Sequence, residues 1–233
     1  MTTAAAQTTH RAPAPPAPAV AKTRSLPDDS RVLLHGIRWE TYEALLADLG
    51  DSHIRLTYDR GSLEIMAPLY RHERHSDALA RLVEILTEEL DLDFIAAGST
   101  TLRREIKQCG LEPDRSCHIQ HVAAIVGKMD VDLTIDPPPD LAIEIDITSS
   151  SLDRMGIYGS LGVPEVWRYN GEQILVYRRK RNGTYRVVAS SPTFPTLPVA
   201  GVLPLLDQVA PMTGRQMIRT IREWVRANAL PKP

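Results

Sequence analysis

The sequence predicts a mixed α/β (α+β) domain, and three observations carry that prediction. Segments whose apolar residues recur at helical spacing stand at 39–49, 70–90 and 213–228, and short alternating runs stand between them, most legibly at 140–148. Glycine-containing turns separate several of the alternating runs, as hairpins require. The composition, 43% hydrophobic and 24% charged over 233 residues, is that of a globular chain large enough for one sizeable domain.

Composition also excludes. Cys109 and Cys117 are the two cysteines, which rules out a disulfide-stapled scaffold and a four-cysteine zinc site. A formal net charge of −2 means that nucleic-acid contact must come from a local basic patch. No run approaches the roughly 20 apolar residues of a membrane helix, so a soluble, cytoplasmic protein is expected. Residues 1–30 hold eight Ala, five Pro and five Thr. The prolines from Pro13 to Pro18 break the one stretch that could form the apolar core of a secretory signal. The segment reads as a disordered tail, with a docking or targeting element as the alternative.

Order is expected from near Val32. Trp39, Tyr42, Leu45, Leu46 and Leu49 form a helical stripe. Ile54, Leu56 and Tyr58 alternate, Asp59-Arg60-Gly61 turns the chain, and Leu63 and Ile65 alternate again, which is a hairpin. Leu79, Leu82, Val83, Leu86 and Leu90 share one face of a helix over 70–90. Strands are expected over 100–106 and 112–119, the second with Cys117 and Ile119 on one face and Asp114, Ser116 and His118 on the other. In the strand over 140–148, Leu141, Ile143, Ile145 and Ile147 take one face and Asp140, Ala142, Glu144, Asp146 and Thr148 the other. The next helix is capped by Ser150 and Asp153 and ends at Gly162. Strands over 166–169, 173–179 and 185–189 follow, divided by Asn170-Gly171 and Asn182-Gly183, and an amphipathic helix over 213–228 closes the chain. The domain expectation is a tail to residue 30, one domain over 31–210, and a basic helix over 211–233 packed on it. No internal repeat is present.

The carboxylates of the 140–148 strand are the first functional signal. A strand this rich in isoleucine belongs in the middle of a sheet, where both faces are covered and an unpartnered Glu144 or Asp146 would be costly. Something positive must meet them, either a basic side chain or a metal ion. Hard divalent ions take one or two carboxylates plus water, and Asp114, on the preceding strand, could converge with Glu144 on one ion. Acidic groups gathered this way repel, so losing one is expected to stabilise the metal-free protein.

These segments carry a resemblance. GSTTLRRE (98–105), GLEPDRSCHI (110–119), PPPDLAIEIDITSSSLDR (137–154) and LGVPEVWRYNGE (161–172) resemble the Uma-type ("Uma-two") restriction endonuclease family, within the PD-(D/E)XK nuclease superfamily. The resemblance spans roughly residues 30–210. It implies a restriction-endonuclease-like α/β/α sandwich with a mixed central sheet, and metal-dependent hydrolysis of DNA. It places Asp114 as the Pro-Asp carboxylate and Glu144 as the second acidic ligand of Mg²⁺ or Mn²⁺. Asp146 then stands where the superfamily's lysine usually is, as a third metal ligand or a tuner of the bound water, and Arg154 where the family's displaced lysine falls. Both depart from the pattern. Glu73, on the earlier helix, is the candidate for an additional acidic ligand.

Other residues have plainer roles open to them. His72 and His75 share a helix face, but their spacing is one residue short of the zinc-helix motif and no third ligand is evident. Tyr158, Trp167 and Tyr169 read as core, and neither cysteine has a partner for thiolate catalysis. Arg178, Arg179, Lys180 and Arg181 form a basic turn, either solvated or on phosphate. Arg215, Arg219, Arg222 and Arg226 recur on one helix face, suited to a DNA backbone or to a homodimer interface. The expected function is a metal-dependent DNA endonuclease. The alternative is a catalytically weakened relative that binds nucleic acid or a protein partner without cleaving.

Overall fold

In the computed structural model, residues 30–50, 52–147 and 152–231 are described. Strand β1 (Ser30–His35) leads into helix α1 (Trp39–Leu49), followed by the hairpin strands β2 (Arg55–Asp59) and β3 (Ser62–Ala67). Arg60 and Gly61 turn that hairpin with φ of 45° and 90°, the doubly left-handed geometry whose twist suits flanking strands. Helix α2 (Tyr70–Glu89) comes next, then β4 (Ile95–Ala96), β5 (Leu102–Arg104), β6 (Cys109–Leu111), β7 (Arg115–His118) and the one-turn α3 (Val122–Ile125). The second half runs β8 (Leu141–Ile145), α4 (Arg154–Leu161), β9 (Glu165–Tyr169), β10 (Ile174–Arg179), β11 (Tyr185–Val188), α5 (Val199–Val209) and α6 (Gly214–Asn228).

The strands form two sheets. One is mixed, in the order β11-β10-β9-β8-β7-β4, with β8 and β9 parallel and its other pairs antiparallel. The other is antiparallel, in the order β1-β3-β2-β6-β5. The mixed sheet with helices on both faces agrees with the expected class, and β8 lies inside it as its isoleucines require. The antiparallel sheet goes beyond expectation: β1 and the short β6, too brief to show alternation, extend the hairpin on both sides.

Several elements are shorter than the pattern suggests. The strand expected over 100–106 stops at Arg104, because Glu105–Lys107 forms a 3₁₀ turn closed by Gln108 at φ 49°. That expected over 112–119 begins at Arg115, leaving Asp114 just ahead of it. β8 ends at Ile145, so Asp146 lies beyond the strand, although its N–H still donates to Tyr169 O at 2.7 Å. Asp153 caps α4 by accepting from Gly156 N at 3.0 Å, and Gly162 ends it at φ 94°; Thr148 and Ser150 lie outside the described residues. Helix α5 escaped the pattern because Pro204 sits inside it.

β8 divides the core. Leu141, Ile143 and Ile145 pack against Leu79, Leu82 and Leu86 of α2, with α5 and α6 completing the cluster through Leu205, Leu206, Met217, Ile221 and Val225. On the opposite face, Ala142 joins Ile157, Tyr158 and Leu161 of α4 and Leu111 of β6. α4 is thus held between the two sheets. Tyr42 and Tyr58 stack at 5.0 Å in a third cluster, under α1. Among the described residues, no helix is long and apolar enough to cross a membrane.

Candidate active site

The polar half of β8 meets the start of β7 through the backbone. Ile145 N donates to Asp114 Oδ2 at 2.6 Å, which fastens the Pro113-Asp114 segment beside Glu144. Both carboxylates are buried, at 2% and 5% exposure. Each has its own guanidinium. Arg55, opening β2, donates to Asp114 Oδ1 at 2.7 Å and reaches Glu73 Oε1 at 2.9 Å. Arg154, opening α4, donates to Glu144 Oε1 at 2.6 Å, to Glu112 O at 2.9 Å and to Thr57 Oγ1 at 2.5 Å. Tyr158, one turn further along α4, donates its hydroxyl to the same Glu144 oxygen.

Asp146 is held apart from this pair. Both Nε and Nη2 of Arg168, on β9, donate to its Oδ2. Its Oδ1 is buried with no partner among the described residues, and Asp146 lines a cavity of about 80 Å³ together with Glu144, Arg154 and Arg168. Arg55 and Glu73 face instead an open groove of about 550 Å³, lined also by Glu112 and Arg115.

The charges set the protonation. Burial pushes Asp114 up, but His72, Arg55 and Arg154 outweigh it and hold its carboxyl below the usual range. Burial pushes Glu144 up, with the Asp114 charge adding to it and Arg154 opposing. His72 lies with Nε2 3.2 Å from Asp114 Oδ2 and Nδ1 3.6 Å from Glu73 Oε1. Burial lowers its pKa, but those carboxylates raise it to about 9.

The structure therefore brings together Asp114, Glu144 and Arg154, joins Glu73 to them through Arg55, and leaves Asp146 one step outside. Among the described residues, no three His, Cys, Asp or Glu side chains gather as a metal site, and Asp146 is held through its Oδ2 by Arg168. Two carboxylates plus water suffice for a hard divalent ion, so the Asp114–Glu144 pair suits one in donor type. Arg154 Nη2 already donates to Glu144 Oε1 there.

The remaining expectations separate. His75 turns away, its Nδ1 2.8 Å from Arg71 O and its ring 5.1 Å from that of Tyr169. Arg222 and Arg226 clasp Glu89 at 2.8 Å, and Arg222 also reaches Glu88 at 2.9 Å, fastening α6 to α2. Half of the basic stripe is thereby committed inside the chain, while Arg215 is exposed and Arg219 lies 3.7 Å from Glu223. In the basic turn, Arg179 donates to Gly159 O at 3.0 Å. Cys109 and Cys117 are free and buried.

Sequence reasoning missed Arg55, Thr57 and Arg168, and read Tyr158 only as core. The signal was faint but present: Arg168 is a charge between the buried Trp167 and Tyr169, and Tyr158 stands one helical turn after Arg154, on the same face.

A family model described as "Uma2: Putative restriction endonuclease" matches residues 39–211. A solved structure described as a putative nuclease belonging to DUF820 from Anabaena variabilis ATCC 29413 is 15% identical, with a TM-score of 0.41, covering 73% of this chain and 90% of that one. No curated protein matches.

Proposed function

Because the chain belongs to the Uma2 restriction-endonuclease family, we propose that it is a divalent-metal-dependent endonuclease that hydrolyses phosphodiester bonds of DNA. The observation that carries the reading is the buried Asp114–Glu144 pair, joined through Ile145 N and faced by one guanidinium from β2 and one from α4. Asp114 and Glu144 would hold Mg²⁺ or Mn²⁺, with Asp146 tuning the bound water from the neighbouring cavity. Such an ion supplies an acidified water and neutralises charge on the scissile phosphate.

The chain's own residues have separate tasks. His72 and Arg55 keep Asp114 ionised. Tyr158 fixes the rotamer of Glu144, joined by Arg154 while no metal is bound. Arg154 stays protonated at any working pH, so it removes no proton. Glu73, tied to Arg55, borders the groove through which DNA would approach.

One observation favours a second reading. Arginine stands where the family pattern has lysine, and every acidic candidate is neutralised from within, as in a protein that binds nucleic acid without cutting it. Incubating the protein with supercoiled plasmid in Mn²⁺, Mg²⁺ or EDTA separates the two. Endonuclease action predicts nicking with metal, none in EDTA and none by Asp114→Asn. Intact plasmid under every condition, with DNA still bound, selects the second reading.

A further inference from the structure

We propose that Arg154 is a resident competitor for the metal, with two resting places: Glu144 in the metal-free protein and Asp146 once Glu144 is taken. This deepens the proposed function and rests on the reading of Asp114 and Glu144 as metal ligands.

Three observations lead there. The guanidinium of Arg154 already sits on Glu144 Oε1 at 2.6 Å, within a site whose side chains are 13% and 7% exposed. A positive group in direct contact with that oxygen occupies coordination space that a hard cation needs. Second, the hold is incomplete: among the described residues, neither the buried Arg154 Nε nor the buried Asp146 Oδ1 has a partner. An unsatisfied donor and an unsatisfied acceptor are both unfavourable when buried. Third, both residues line the same cavity of about 80 Å³, which gives the side chain room to turn from one carboxylate toward the other. The chain's two departures from the family pattern, Asp at 146 and Arg at 154, then form one device. A displaced Arg154 finds a buried acid waiting, and Glu144 is released for the ion.

Thr57 is the catch that keeps Arg154 on Glu144, through the 2.5 Å hydrogen bond to Nη1. Thr57→Val keeps the shape and every charge of the site, so it probes the catch alone. Arg154→Gln removes the competitor.

Calorimetric titration of the full chain with MnCl₂ tests the proposal, with thermal melts verifying that each variant is folded. Arg154→Gln is expected to bind Mn²⁺ about tenfold more tightly or better, the scale of one charge-assisted hydrogen bond withdrawn from the competing state. Thr57→Val should tighten binding severalfold, and it carries the test if Arg154→Gln fails to fold. Asp146→Asn should weaken binding in the wild-type background and leave it unchanged beside Arg154→Gln. Equal weakening in both backgrounds would make Asp146 a ligand and overturn the second resting place. Measurable wild-type binding that neither Arg154→Gln nor Thr57→Val improves would overturn the competition while leaving the metal reading intact. No Mn²⁺ binding by any of the proteins would overturn the metal reading and this inference with it.

Discussion

β8 buries both of its faces, and does so by two different chemistries. Toward α2, α5 and α6 it presents Leu141, Ile143 and Ile145, which need only apolar neighbours. Toward α4 and the antiparallel sheet it presents Glu144, and Asp114 is fastened next to it; each requires a guanidinium, and each guanidinium requires further partners. Apolar burial stabilises in proportion to area. A buried ion pair roughly offsets its own desolvation, but losing one partner is severe because the other charge is stranded. The two faces therefore differ in what they are for: the first holds the fold together, and the second gathers the paired charges of the proposed site.

The comparison can be broken most forcefully at Glu144. Glu144→Ala strands Arg154 in a buried site, with an expected loss of about 3–5 kcal/mol in urea unfolding. This reverses the expectation that removing a carboxylate relieves repulsion, because each carboxylate is already matched by an arginine. A gain in stability would show that the acidic groups repel in spite of their partners.

On the apolar face, Leu141→Ala is expected to cost about 2–5 kcal/mol, through lost contacts and a residual cavity. No substitution elsewhere should restore it, whereas the polar face should be restorable by changing the second partner.

A pH series sharpens the contrast further. The pKa of His72 is raised in the folded protein from 6.5 to about 9. The stability it contributes is therefore complete below about pH 6.5 and fades as pH rises through about 9. Metal-free melting temperatures should decline across that window, and His72→Gln should flatten the decline. An unchanged profile in His72→Gln would remove the imidazole from the charge balance of the site.

How much of this was legible depended on distance along the chain. Helix α1, the β2–β3 hairpin, α2, the strand character of β8 and the glycine end of α4 follow from local periodicity and turn chemistry, and all are present. So is the inference that something positive must meet Glu144, left open between a basic group and a metal. The structure supplies the basic group. What sequence could not supply is register. Arg168 stands opposite Glu144 only because β8 and β9 pair in parallel with that alignment, and Arg55 reaches Asp114 only because the antiparallel sheet brings β2 beside the start of β7. The second sheet was hidden for the same reason, since β6 has only three residues and pairs with strands on both sides.

The smallest expected effect lies away from both faces. Arg222→Gln breaks two ion pairs, to Glu88 and Glu89, at the surface joint between α6 and α2, with Arg222 28% exposed. Its cost should stay under about 1 kcal/mol and vanish at high salt. A larger, salt-independent loss would mean that the joint is held by charge instead of by Met217, Ile221 and Val225.

The most direct measurement pairs stability with chemistry in one variant, Glu144→Leu/Arg154→Met, which exchanges the buried ion pair for apolar side chains of similar size. Urea unfolding and metal-dependent plasmid nicking are measured on the same preparation. The account predicts stability within about 1–2 kcal/mol of wild type or above it, with nicking abolished. A variant that is strongly destabilised yet still nicks DNA would contradict it, since the polar face of β8 would then serve the fold and not the reaction.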